Sequence, residues 1–126
     1  MRRFRLNKIY IMNALRNKVQ LIGRLGQDPK IITFDEGKSK VNFSVATNES
    51  YRDNEGDKVE RTQWHEIVAW GPLSDIMGQY LKKGSEVAIE GRLHYRTYDD
   101  KEGNTRYVTE IVAKELLMLD KKSAEA

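Results

Sequence analysis

Apolar side chains recur at every second position through five separate stretches of this chain and at three-and-four spacing in only one, which commits most of the backbone to strands. In the first stretch Val19, Leu21 and Leu25 point one way, and Gly23 continues that face where a closed sheet needs a bend or a close backbone approach. Gly-Gln-Asp-Pro at 26–29 ends it. In the second, after a polar turn at 35–40, Val41, Phe43 and Val45 alternate with Asn42, Ser44 and Ala46. The polar stretch 48–58 reads as a long hairpin loop, Tyr51 its one apolar residue and Gly56 its positive-φ position. The third strand, Glu60 to Trp70, sets Trp64, Glu66, Val68 and Trp70 on one face and His65, Ile67 and Ala69 on the other. Leu73, Ile76, Met77, Tyr80 and Leu81 then predict a helix with Pro72 in its first turn and Gly84 as its stop. In the fourth strand Val87, Ile89, Leu93 and Tyr95 face inward across Gly91, and Arg92, His94, Arg96 and Tyr98 share the outer face. A turn at 99–104 leads to a last strand from Arg106 to Val112 or beyond.

Five strands with one helix between the third and fourth suit a small, closed, antiparallel all-β barrel, because closure hides the edges an open sheet of this size would expose. The OB-fold, a five-stranded Greek-key barrel, has this element order. The 126 residues leave room for one such domain. Residues 14–119 are expected to form it, 1–13 a basic, partly disordered N-terminal extension and 120–126 a short tail, with Met12 as a second plausible start. Without cysteine, thiolate zinc sites, iron–sulfur clusters, disulfides and cysteine nucleophiles are excluded together. No apolar run reaches the roughly 18 residues that span a bilayer, so a cytoplasmic protein with no membrane association is expected.

The net charge of +3 invites a nucleic-acid reading, but its distribution weakens that argument. Seven cations and no acid fall within residues 1–24, which leaves 15 cations against 19 acids in the remainder. The case rests instead on where cations fall relative to aromatic rings. Tyr51, Trp64, Trp70 and Tyr98 stand where a core does not need them, and bases of any sequence stack on such rings with about 1–3 kcal/mol each. Arg52, Lys83, Arg96 and Arg106 border the same segments and would pair with phosphates. Each ring and each cation taken singly is equally well read as surface packing or solvated charge; the four rings together tip the balance. Two histidines cannot supply a zinc site without several carboxylates, and neither a nucleophile elbow nor a phosphate-binding glycine loop occurs, so no metal, cofactor or catalysis is expected.

Five blocks in order carry a family resemblance: NKVQLIGRLGQDP (17–29), ATNESYRD (46–53), TQWHEIVAWG (62–71), YLKKGSEVAIEGRL (80–93) and RYVTEIVA (106–113). From about residue 17 to 119 the chain resembles the bacterial single-stranded DNA-binding proteins. The resemblance implies an OB-fold that binds single-stranded DNA without sequence preference in replication, recombination and repair, usually as a nucleoid-associated homotetramer wrapped by the strand. It implies stacking at Trp64 and Trp70, with Tyr51 and Tyr98 where the family often has tryptophan, and places His65 at the subunit contact. Asn54, Pro72 and Thr97 stand where many members carry lysine, which implies fewer phosphate contacts. The chain closes on LDKKSAEA and not on the family's Gly/Gln/Pro-rich linker and acidic tip, so tail-mediated recruitment of replication and repair enzymes is not expected. Two other readings stay open on the residues alone: an OB-fold adaptor that binds RNA or a replication protein, and a nuclease on the same fold.

Overall fold

A computed structural model describes residues 15–120; the basic stretch 1–13 and nearly all of the tail lie outside the described residues. Where apolar residues alternate with polar ones the chain is extended, and the strands are β1 (Val19–Leu25), β2 (Lys30–Thr33), β3 (Ser39–Arg52), β4 (Lys58–Trp70), β5 (Glu86–Asp99) and β6 (Thr105–Met118). One helix, α1 (Gly71–Tyr80), joins β4 to β5. The strands run in the order β1-β5-β6-β4-β3, and β3 returns to β1 through Arg24↔Ala46 and Leu25↔Val45, which closes a five-stranded barrel. Pairing is antiparallel except between β4 and β6, which meet in parallel at Ile67↔Ile111 and Val68↔Val112. The helix sits between the third and fourth barrel strands, as the sequence predicts.

The sixth strand is an addition to that expectation. Lys30–Thr33 pairs along the outer edge of β3, from Lys30↔Asn42 to Thr33↔Ser39, and all four of its residues are exposed. Ile31 and Ile32 stand side by side in sequence, so the segment carries no alternation to reveal it.

The core gathers the inward set of every barrel strand: Leu25, then Val41, Phe43 and Val45, then Ile67 and Ala69, then Val87 and Ile89, then Ile111 and Ala113. The helix adds Met77 and Leu81. Burying a side chain of the size of Phe43 or Ile67 stabilises by about 1.5–3 kcal/mol. The buried face of α1 is narrower than its spacing predicts, since Ser74 and Met77 are covered whereas Ile76 and Tyr80 are exposed. Ser74 is accommodated because its hydroxyl meets that of Ser39 at 2.9 Å, and Ser39 donates to Asp75 Oδ1 at 2.6 Å. Leu81 caps the helix, its N–H donating to the Met77 carbonyl at 3.0 Å.

Two hairpins run beyond the core. The β3–β4 ladder continues to Arg52↔Lys58, so Tyr51 lies in a strand and only residues 53–57 turn, not the whole of 48–58. The β5–β6 ladder continues to Asp99↔Thr105. Tyr95, expected to face inward, is 68% exposed because this outer half of β5 has no barrel wall opposite it. Both turns use one device. Asp53 Oδ1 accepts from the amides of Glu55 and Asp57 at 2.9 Å, and Asp100 Oδ1 from those of Glu102 and Asn104 at the same distance. Gly56 and Gly103 take φ of 83° at the matching position, where an L side chain is strained.

Gly91 marks the one irregularity of the β5–β6 ladder, where the register shifts between Glu90↔Glu115 and Gly91↔Ala113. The strands come so close there that a Cβ on Gly91 would run into the Val112 carbonyl.

Candidate nucleic-acid interface

Alternation along β4 turns Trp64 and Trp70 away from the core, opposite Ala46 and Lys40 of β3. They are 60% and 52% exposed. They stand six positions apart in an extended strand, a distance of about 20 Å. Trp64 lies across the end of β1: the Gly26 amide donates to the Ser44 carbonyl at 3.0 Å, and a Cβ on Gly26 would occupy the space of the indole. Trp70 stacks on Phe34, centroids 5.9 Å apart and planes 14° from parallel, and the Lys40 ammonium stands 5.1 Å from its ring centre.

The hairpin tips carry the two tyrosines. Tyr51 and Tyr98 are 45% and 47% exposed. By the strand alternation Tyr51 falls on the other face of its hairpin from Trp64 and Trp70, together with Arg61, whose guanidinium lies 5.5 Å over the ring and donates to the phenol oxygen at 3.3 Å. Arg96 lies 5.9 Å over Tyr98 and donates through Nε to Glu110 Oε1 at 3.3 Å. Glu110 is buried, and His94 Nδ1 meets the same oxygen at 3.2 Å, so a charged residue inside the β5–β6 hairpin is accommodated by two partners.

The remaining expected cations are partly occupied. Arg52 donates to the Gly56 carbonyl at 2.8 Å, which ties it into the turn and not to Tyr51. Arg106 Nε donates to Asp100 Oδ2 at 2.9 Å. Lys83 lies in the turn from α1 to β5, its backbone amide donating to Asp28 Oδ1 at 2.8 Å and its ammonium without a carboxylate within 4 Å among the described residues. His65 Nε2 meets Thr47 Oγ1 at 2.9 Å on the face away from the tryptophans. Asp53, Glu55 and Asp57 cluster at the β3–β4 tip, where Asp53 Oδ1 is already taken by two backbone amides.

A barrel of this topology with exposed rings and cations along two hairpins has known counterparts. The model of the single-strand binding protein family matches residues 16–119. The chain belongs to that family. It is 53% identical over 109 residues to Single-stranded DNA-binding protein 1 of Chlorobaculum tepidum, covering 86% of this chain and 67% of that one. With Single-stranded DNA-binding protein 1 of Xylella fastidiosa it shares 51% over 107 residues, covering 84% and 79%. The single-stranded DNA-binding protein of Neisseria meningitidis is 50% identical over 103 residues, covering 82% of this chain and 59% of that one. Among solved structures, a Plasmodium falciparum SSB in complex with ssDNA superposes with a TM-score of 0.75 at 36% identity, covering 82% of this chain and 95% of that one. The single-stranded DNA binding protein from Thermus aquaticus, in a deletion mutant, superposes with a TM-score of 0.73 at 25% identity, covering 82% and 50%.

In this member of the single-strand binding family, sequence reasoning missed Phe34, Lys40 and Arg61. Lys40 was open to discovery, because it continues the outward set of Asn42 and Ser44 by two positions. Phe34 left no signal: its contact with Trp70 joins a loop to a distant strand end.

One carboxylate of the site has a displaced titration. The Asn104 amide first and the Arg106 side chain second hold Asp100 below the ordinary aspartate value of 3.8; burial opposes them, and the amides of Glu102 and Gly103 add lesser lowering effects. Its charged form is favoured in the folded chain, so its contribution to the turn is present above that ordinary value and is lost as pH falls through the lower folded one. A carbon-detected NMR titration is expected to place the Asp100 midpoint below 3.8, and Arg106→Ala is expected to move it upward. A midpoint unmoved by that substitution would contradict the assigned cause.

Proposed function

We propose that this chain binds single-stranded DNA without sequence preference and shields it during replication, recombination and repair. The observation that carries the reading is the set of four aromatic rings held outside the barrel on rigid strands, with cations beside three of them. A base stacks on any of these rings whatever its identity, and the cations between them take the phosphates. A base inside a duplex has both π-faces covered by the pairs stacked above and below it, so the protein prefers the single strand and draws hairpins open by mass action.

The role is that of a binder and not of an enzyme, in the cytoplasm on the nucleoid; among the described residues no helix is long and apolar enough to cross a membrane. Residues 14–119 act as the binding domain. Homotetramer formation is part of the proposal, with His65 at a subunit contact. Two features support self-association: β1 pairs with β3 only at Arg24 and Leu25, leaving its edge from Val19 to Ile22 without a ladder partner on that side among the described residues, and Ile22, Ala88 and Leu117 line up across three strands on the outer sheet face. Light scattering is expected to give the mass of four chains.

A mobility-shift assay tests the binding claim. The protein is expected to retard oligo-dT at nanomolar to micromolar concentration, to retard a duplex of the same length far less, and to show no preference for RNA over DNA. Preferential retention of RNA would favour the adaptor reading instead.

A further inference from the structure

Of the rings Tyr51, Trp64, Trp70 and Tyr98, three have a cation resting on them. Lys40 stands 5.1 Å from the centre of Trp70, Arg61 5.5 Å from that of Tyr51 and Arg96 5.9 Å from that of Tyr98. The arrangement recurs on three strands and is set by register: Lys40 is the direct cross-strand partner of Trp70, Arg61 lies two positions beyond Val59, the partner of Tyr51, and Arg96 precedes Tyr98 by two residues on one strand face. Lys40 and Arg61 have no carboxylate within 4 Å among the described residues, whereas Arg106 and Lys58 do. The rings are therefore the chief partners these two cations have.

A cation on an exposed ring is held weakly, and a stacked base is held more strongly. An arriving base therefore takes the ring and releases the cation where that nucleotide's phosphate passes. Resting the cation on the ring also limits the side-chain ordering that its capture of a phosphate would otherwise cost.

We propose that Lys40 and Arg61, with Arg96, rest on the aromatic rings in the free protein and transfer to backbone phosphates as bases stack, so that these cations set much of the salt dependence of binding. The proposal rests on the single-strand reading above and adds two phosphate ligands to it. Its test is the slope of log K against log salt for oligo-dT, measured on the whole protein by fluorescence or mobility shift. Each phosphate contact removed makes that slope shallower by about 0.7 for a single strand. Lys40→Gln and Arg61→Gln are each expected to show this change and the double variant about 1.4. Lys40→Arg is expected to keep the original slope, and Lys18→Gln, which removes an ammonium already paired with Glu90 at 2.9 Å, to leave it unaltered. Binding with an unchanged slope in the double variant overturns the proposal while leaving single-strand binding intact. No binding by the unaltered chain at any salt overturns both.

Discussion

Alanine at Trp64 or at Trp70 is expected to weaken oligo-dT binding by about 1–3 kcal/mol each, roughly 5- to 150-fold, while the barrel stays folded. The two indoles stand about 20 Å apart on β4 and share no partner, so their effects are expected to add in the double variant to about 2–6 kcal/mol. Both rings are more than half exposed, and neither belongs to the core cluster. Thermal unfolding should therefore move little, since Trp70, although it is the N-cap residue of α1, makes no side-chain capping hydrogen bond, and surface truncations that break no cap or network stay within about 0.5 kcal/mol. Calorimetric or fluorescence titration of the single and double variants, with circular dichroism melts alongside, checks both halves. A variant that unfolds would make the rings structural, and one that binds unchanged would remove them from the site.

Valine at Gly91 is expected to act in the opposite sense, on the fold before the function. A Cβ there meets the Val112 carbonyl, with the Ala113 backbone close behind, and backbone in a closed ladder cannot swing aside as a side chain can. Overpacking of a buried position costs about 1–3 kcal/mol, and a backbone collision at a register shift belongs at or above the upper end. For a domain of this size that is a fall of about 10 °C or more in Tm. Gly26 offers the contrast, because what its Cβ would meet is the movable ring of Trp64. A Gly91→Val protein that melts within two degrees or so of the original would show that β5 and β6 can part there without cost.

The barrel was legible in the sequence because burial on one side of a strand writes an apolar period of two. Val41, Phe43 and Val45, or Val87 and Ile89, could be placed from that period alone, and each is buried. Beyond the core the same strands continue with polar residues on both sides, as at Asn48, Glu49 and Ser50, and the period vanishes although the backbone stays extended. That is why the hairpins are longer than the sequence suggests, and why Tyr95 was expected inside. The four aromatic rings were visible as residues out of place in a core pattern. Their immediate partners were harder to see, because Phe34 on Trp70 and Arg61 on Tyr51 are contacts of register and loop closure that local spacing does not carry. The cations divide for a similar reason. Arg52 and Arg106 stand near rings in sequence, yet the nearest strong acceptors are the Gly56 carbonyl and the Asp100 carboxylate of their own turns.

Trp64 and Trp70 are the only tryptophans in the chain, so its indole emission reports on those two rings alone. Titrating that emission with oligo-dT at low and at high salt probes stacking and phosphate contact in a single series. Outward rings that receive bases predict quenching that saturates at low salt and shifts to higher oligonucleotide concentration as salt rises. Emission that stays flat at low salt, with the protein folded and the strand in excess, would contradict the claim.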